Sequence, residues 1–253
     1  VESYATAQQV FAAGLVFARV GALVMLMPGV GETAVPATAR LGFALLLSLA
    51  IGPVVAAQMP ALPESLGGLV GLVLRELIIG LMIGGVLRLF LSSLATAGEI
   101  VSLQTNLSFA QTANPLQAQP GGAISGFLML LGICLIFASG LHRVFIDAIV
   151  DSYQIFGPGR AIPVQDAGAL AIETVARSFA LGVQLAAPVI VFALVFNIAT
   201  GLIGRVMPQF QIFFVATPLS VLLGLSVFAL SLGVIGLVWI ERYADLVAYF
   251  QRP

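Results

Sequence analysis

The sequence predicts an all-α membrane protein, and three observations carry that prediction. Of its 253 residues, 60% are hydrophobic and 8% are charged, against about 45–50% and 25% in an average soluble domain. Mean hydropathy is +1.12. Apolar stretches of about 20 residues, the length a helix needs to cross a bilayer core of roughly 30 Å, recur along the chain. Backbone polar groups in lipid must be satisfied internally, so these stretches read as helices. About six spans occupy roughly 120 positions, and the remainder is too dispersed for a folded soluble domain.

The first stretch, residues 10–27, follows a segment that carries Glu2 and no basic residue. A secretory signal has a basic start, so this stretch is expected to be retained. The second covers 41–58 and the third 66–94. The fourth covers 124–141, the fifth 167–203 and the sixth 213–240. The third and fifth exceed one perpendicular crossing, so they must tilt, break or continue outside the hydrocarbon. Pro53, Pro188 and Pro218 fall inside apolar stretches, where each removes a backbone donor and favours a kink. Residues 28–36 have the glycine and proline punctuation of a tight loop. Residues 98–122 begin as a polar amphipathic stretch and turn loop-like at Asn114-Pro115 and Pro120-Gly-Gly122. That is long for a passive linker. A mixed segment from His142 to Phe156 precedes a further break at 157–163.

Composition excludes several classes of function. Ten arginines, with no lysine, face eleven acidic residues for a formal net charge of -1, so there is no basic face for nucleic acid. Cys134 stands alone in an apolar run and reads as a small buried hydrophobe. His142 is the sole histidine, which rules out a multi-histidine metal site within one chain. No Walker loop, dinucleotide fingerprint, His-Glu-x-x-His or CxxC occurs. Gly122-Ala-Ile-Ser125-Gly126, followed by His142, has two residues between the first glycine and the serine. An intramembrane serine protease of the rhomboid type has one, so the spacing fails. No catalytic residue, metal or cofactor is expected.

Charge within apolar runs is the first positive clue. Arg19, Arg75, Glu76, Arg88, Glu173 and Arg177 lie within or beside such runs, where a mid-bilayer charge costs about 2.5–3.5 kcal/mol on insertion scales. Burial in a protein assembly or a water-lined path, snorkelling at an interface, and a proton or substrate relay are the available explanations. Glu173 and Arg177 are spaced to pair on one helix face, whereas adjacent Arg75 and Glu76 point about 100° apart and must each look to another helix or subunit. Glycine is the second clue, at 27 residues. Gly67 and Gly71, Gly80 and Gly84, and Gly182 and Ala186 are small-xxx-small pairs that allow close helix contact.

Several motifs stand out together. They are Phe17-Ala-Arg-Val-Gly-Ala-Leu-Val-Met-Leu-Met-Pro-Gly29, Leu74-Arg-Glu-Leu-Ile-Ile-Gly80, Thr96-Ala-Gly-Glu99 with Gln104, and Leu107-Ser-Phe-Ala110 with Asn114-Pro115. Asn197-Ile-Ala-Thr-Gly201-Leu-Ile-Gly-Arg205-Val-Met-Pro208-Gln209, followed by Pro218-Leu219, is the most specific. Jointly these motifs resemble the FliR family of flagellar type III export-gate subunits, and the resemblance runs from about residue 10 to 240. Asn106 stands where the family pattern has glycine, which bears on the local backbone turn.

The resemblance implies a gate subunit with no chemistry of its own. It would assemble with FliP and FliQ homologues and other export apparatus proteins into a hetero-oligomeric pore that passes unfolded flagellar proteins. Residues 1–160 would be FliP-like and 161–253 a FliQ-like hairpin. The assembly would stand in the bacterial inner membrane at the flagellar basal body, partly on its periplasmic side. A plug loop at 106–122 would include Asn106, Leu107, Ser108, Phe109, Ala110, Asn114 and Pro115. Arg19, Arg75, Glu76, Arg88, Glu99, Glu173 and Arg177 would serve assembly as buried charges. The homologous injectisome export subunit is the nearest alternative, and a secondary transporter centred on Arg75, Glu76, Glu173 and Arg177 is a more distant one.

Overall fold

The computed structural model describes residues 6–107, 122–159, 164–207 and 212–249. The helices are α1 (Ala7–Leu26), α2 (Ala37–Val55), α3 (Leu66–Gln104), α4 (Ala123–Ala138), α5 (Leu141–Ile155), α6 (Val164–Val206) and α7 (Ile212–Tyr249). A short 3₁₀ turn at Ala56–Gln58 prolongs α2, and no strand occurs among the described residues. Five helices are long and apolar enough to cross a membrane, or six if α4 and α5 form one broken span. The all-α membrane class and the span number expected from hydropathy therefore hold.

Two boundaries differ from the hydropathy reading. Helix α3 does not stop near Leu94 but continues to Gln104, because Leu94, Ala97, Val101 and Thr105 recur at helical spacing and all are buried. The fourth apolar run ends at Ala138, where Gly140 takes φ +79° and starts α5 in a new direction. Cys134, expected inside, is exposed. It shares an uncovered face of α4 with Phe127, Leu130 and Phe137.

Local chemistry sets the helix ends. Thr6 and Gln9 form a reciprocal capping box at the start of α1, satisfying two donors that the first turn leaves unpaired. Gln8 then donates to the Pro60 carbonyl and accepts from the Leu62 amide, tying the connection after α2 to α1. Pro53, Pro188 and Pro218 all lie inside helices. Pro53 is two residues from the end of α2, where its missing N–H leaves the Leu49 carbonyl without the usual helical donor.

The chain divides into two compact units. The first comprises Val1–Phe90, Gly140–Val175 and Ala244–Pro253, and the second Leu91–Ser139 and Ala176–Tyr243. In the first, α1 packs on α2, and α2 reaches α5. Its interior includes Val86 and Ala148, with Leu170 and Leu246 closing over them. Gly80 and Gly84 line the crossing of α3 with α1. A Cβ on Gly80 would collide with the Arg19 carbonyl, and one on Gly84 would stand 2.9 Å from the Leu23 carbonyl. Gly67 and Gly71, with the same spacing, face open space.

In the second unit, Trp239 of α7 is fully buried and donates its indole N–H to Ser93 Oγ at 3.1 Å. Gly132 gives Leu91, Leu94 and Trp239 room beside α4. Gly182 on α6 meets Thr96 and the Ser93 carbonyl. Small residues thus sit at each close approach, as expected where van der Waals packing, not water exclusion, joins helices.

Candidate functional site

Two arrangements of polar side chains stand out, one in each unit. In the first unit, Arg19 of α1 is completely buried. Its Nε donates to Glu76 Oε2 at 2.6 Å and its Nη2 to Glu76 Oε1 at 3.1 Å, a two-pronged pair with α3. Nη1 donates to the Ser152 carbonyl at 3.0 Å and to Ser152 Oγ at 3.2 Å, while Nη2 also reaches the Phe156 carbonyl at 2.8 Å. The five guanidinium hydrogens are all engaged. Ser152 gives its own hydroxyl proton to the Ile149 carbonyl, which leaves a lone pair for Arg19. The Tyr153 ring lies 3.9 Å beneath the guanidinium carbon.

This network clasps α1, α3 and the last turn of α5. Two charges taken out of water cost several kcal/mol each, and only complete pairing offsets that. Arg19 and Glu76 meet this condition, with no donor left over to move a proton or bind a substrate. Nearby, Arg75 is half-buried and its Nε has no hydrogen-bond partner among the described residues. Arg88 approaches the Gly31 carbonyl at 3.4 Å and Glu32 at 3.8 Å, joining α3 to the loop after α1. That loop turns at Gly29, at φ +87°. Glu173 and Arg177 both sit on exposed positions of α6.

The second arrangement lies in the second unit, where α3 ends and α4 begins. Thr105 is fully buried and donates to the Val101 carbonyl at 2.9 Å. Its methyl fills the space left by Gly224 of α7. Asn106 takes φ +59°, the one positive φ at a non-glycine among the described residues. Its Nδ2 donates to Ser220 Oγ of α7 at 2.9 Å. On α4, Ser125 Oγ is 2.8 Å from Glu99 Oε1 and 3.1 Å from the Ala95 carbonyl of α3. Gly98 makes this approach possible, since a Cβ there would collide with the Ser125 backbone. Gly122, at φ +63°, leads into α4.

Leu107 is the last described residue before the connection and is half-buried. Ser108, Phe109, Ala110, Asn114 and Pro115 lie outside the described residues, as do Pro208 and Gln209. Gly201 and Arg205 are exposed near the end of α6, and Pro218 is exposed within α7. Ser125, considered above as a nucleophile, is 2% exposed with its hydroxyl held against α3. No group of three His, Cys, Asp or Glu side chains able to hold a metal occurs among the described residues.

Sequence reasoning required partners for Arg19 and Glu76 without identifying them, because they lie 57 positions apart. It missed Ser152, Tyr153, Ser220 and Glu32 altogether. Ser152 and Tyr153 lie on the apolar face of an amphipathic segment, which was a usable signal. Ser220 carried none.

Comparison with known proteins places these features in a family context. Residues 10–246 match the family model for bacterial export proteins, family 1. The chain is 60% identical over 250 residues to the flagellar biosynthetic protein FliR of Caulobacter vibrioides, covering 99% of this chain and 100% of that protein. It is 31% identical over 214 residues to FliR of Escherichia coli, covering 83% and 80%. FliR of Aquifex aeolicus is 29% identical over 237 residues, with 94% and 91% covered.

Proposed function

The chain belongs to family 1 of the bacterial export proteins, in its FliR flagellar branch, and from that premise we propose that it is a pore subunit assembled with FliP and FliQ homologues. Its apolar helices and flagellar relatives make it a membrane protein of the flagellar export apparatus. The finer reading is a hetero-oligomeric gate in the inner membrane at the basal body, partly on the periplasmic side, that passes unfolded flagellar proteins. Residues 1–160 act as a FliP-like part and 161–253 as a FliQ-like hairpin. The segment 106–122 plugs the resting pore, uncharged throughout and able to seal against ions by apolar contact.

The observation that carries the reading is the full-length match to FliR. Uncovered apolar surface supports it. Only 17% of the most apolar window of α7 is buried within the chain, and 33% of that of α6. Leu230 and Leu237 of α7 are 86% and 71% exposed. Such faces call for lipid or neighbouring subunits. Arg19 and Glu76, offered above as assembly contacts, are already satisfied within the chain, whereas Arg75 keeps a buried Nε with no hydrogen-bond partner among the described residues.

Native mass spectrometry of the chain, gently extracted after co-expression with FliP-like and FliQ-like partners, tests the proposal. A discrete hetero-oligomer containing this chain is expected. A stable monomer or homodimer indifferent to those partners would overturn it.

A further inference from the structure

We propose that Asn106 and Ser220 form a latch that fixes the end of α3 against α7 and that this anchorage keeps the resting pore tight. Its functional consequence rests on the plug reading above. Its physical basis does not.

Three features of the described structure converge on this point. First, Asn106 occupies the left-handed region at φ +59°, where asparagine is the least disfavoured residue after glycine. Second, Nδ2 of Asn106 donates to Ser220 Oγ at 2.9 Å, and Ser220 is 2% exposed. Ser220 gives its single hydroxyl proton to the Thr217 carbonyl at 3.0 Å. Its oxygen can therefore act toward Asn106 only as an acceptor, and this fixes which end of the Asn106 amide faces α7. Third, Thr105 packs against Gly224, four residues beyond Ser220 on the same face of α7. Thr105 and Asn106 thus engage successive turns of one helix, setting the register of the end of α3.

Glycine at 106 would supply the backbone angle but no tether. Alanine would supply neither. The asparagine side chain is accordingly a positioning group in its own right, and Ser220 is the partner through which it acts.

The test combines Ser220→Ala, Asn106→Gly and the double variant in the full-length chain. Hydrogen exchange is read over residues 101–107, whose last amides bond to the carbonyls of Val101 and Leu103. With the latch, Ser220→Ala raises exchange there roughly fivefold, the effect of one ordinary side-chain hydrogen bond. The same substitution has no further effect when Asn106 is already glycine. An equal effect in both backgrounds, or none in either, would overturn the latch.

The second readout is ion leakage through resting pores in cells, compared at equal pore abundance, with deletion of residues 111–119 as the reference. Ser220→Ala is expected to leak, and the deletion to leak more. A leaky deletion beside a tight Ser220→Ala variant rejects the latch's role in keeping the resting pore tight. A tight deletion rejects the plug reading itself, while exchange still decides whether the latch exists.

Discussion

A charge buried in an apolar helix is stable only as long as its partner is present. Arg19 is 0% exposed and Glu76 1%, so Glu76→Gln would leave the guanidinium buried against a neutral amide. Loss of one member of such a pair costs about 3–5 kcal/mol. The expected outcome is a markedly lower thermal midpoint for the purified chain, with poor recovery from membranes. Arg19→Met combined with Glu76→Leu should recover much of the loss, since apolar replacement of an entire pair is often neutral. A double variant no better than Glu76→Gln would mean that the Ser152, Phe156 and Tyr153 contacts, not the ion pair, carry the stability. At this scale the sequence was informative about need and silent about satisfaction. Arg19 and Glu76 announced themselves as charges in apolar runs, but the contact between them depends on the crossing of α1 and α3. Asn106 was visible as a departure from a glycine, and its φ of +59° shows the substitution to be compatible with the turn. Its partner was not visible, because nothing distinguishes Ser220 from other helical serines until α7 is brought alongside.

Among helices, backbone approach decides which glycines matter. Gly80 and Gly67 each begin a four-residue small pair on α3, yet only Gly80 touches another helix. Gly80→Ala forces a methyl against the Arg19 carbonyl, and overpacking of this kind costs about 1–3 kcal/mol. It also displaces the residue that carries the buried pair. Gly67→Ala meets nothing within 4 Å and should gain up to about 1 kcal/mol from helix propensity. Thermal unfolding of the two variants in one detergent checks the contrast, and equal shifts would refute the crossing. The spacing of these glycines was legible; which pair lies at a contact was not. The same limit explains the end of α3. Hydropathy falls after Leu94 as Thr96, Glu99, Ser102 and Gln104 enter, yet Ala97, Val101 and Thr105 continue one buried stripe. Periodicity there is a better guide than mean polarity. The break before α5 was equally available from Ser139-Gly140, because glycine is the residue that takes the left-handed turn at least cost.

For the whole chain, helix length and bilayer thickness do not match, and the mismatch separates two environments. Helices α3, α6 and α7 have 39, 43 and 38 residues, which at 1.5 Å per residue span roughly 57–65 Å. A hydrocarbon core of about 30 Å covers about 20 residues of a helix, or somewhat more when it tilts. The apolar exposed face of α7 nevertheless extends from Phe214 through Leu230 to Leu237. That is already longer than one upright crossing. Lipid alone covers the whole of this face only if α7 tilts, whereas flanking subunits could cover its full length in an upright helix. Single cysteines placed along the exposed face of α7, with Cys134 replaced by serine, make this measurable with a membrane-impermeant maleimide. In the assembled export complex the protected run should cover the face from Phe214 to Leu237. In membranes containing this chain alone it should shrink to about 20 residues. An identical protected run in both preparations would assign the face to lipid and leave the long helices without a subunit partner along it.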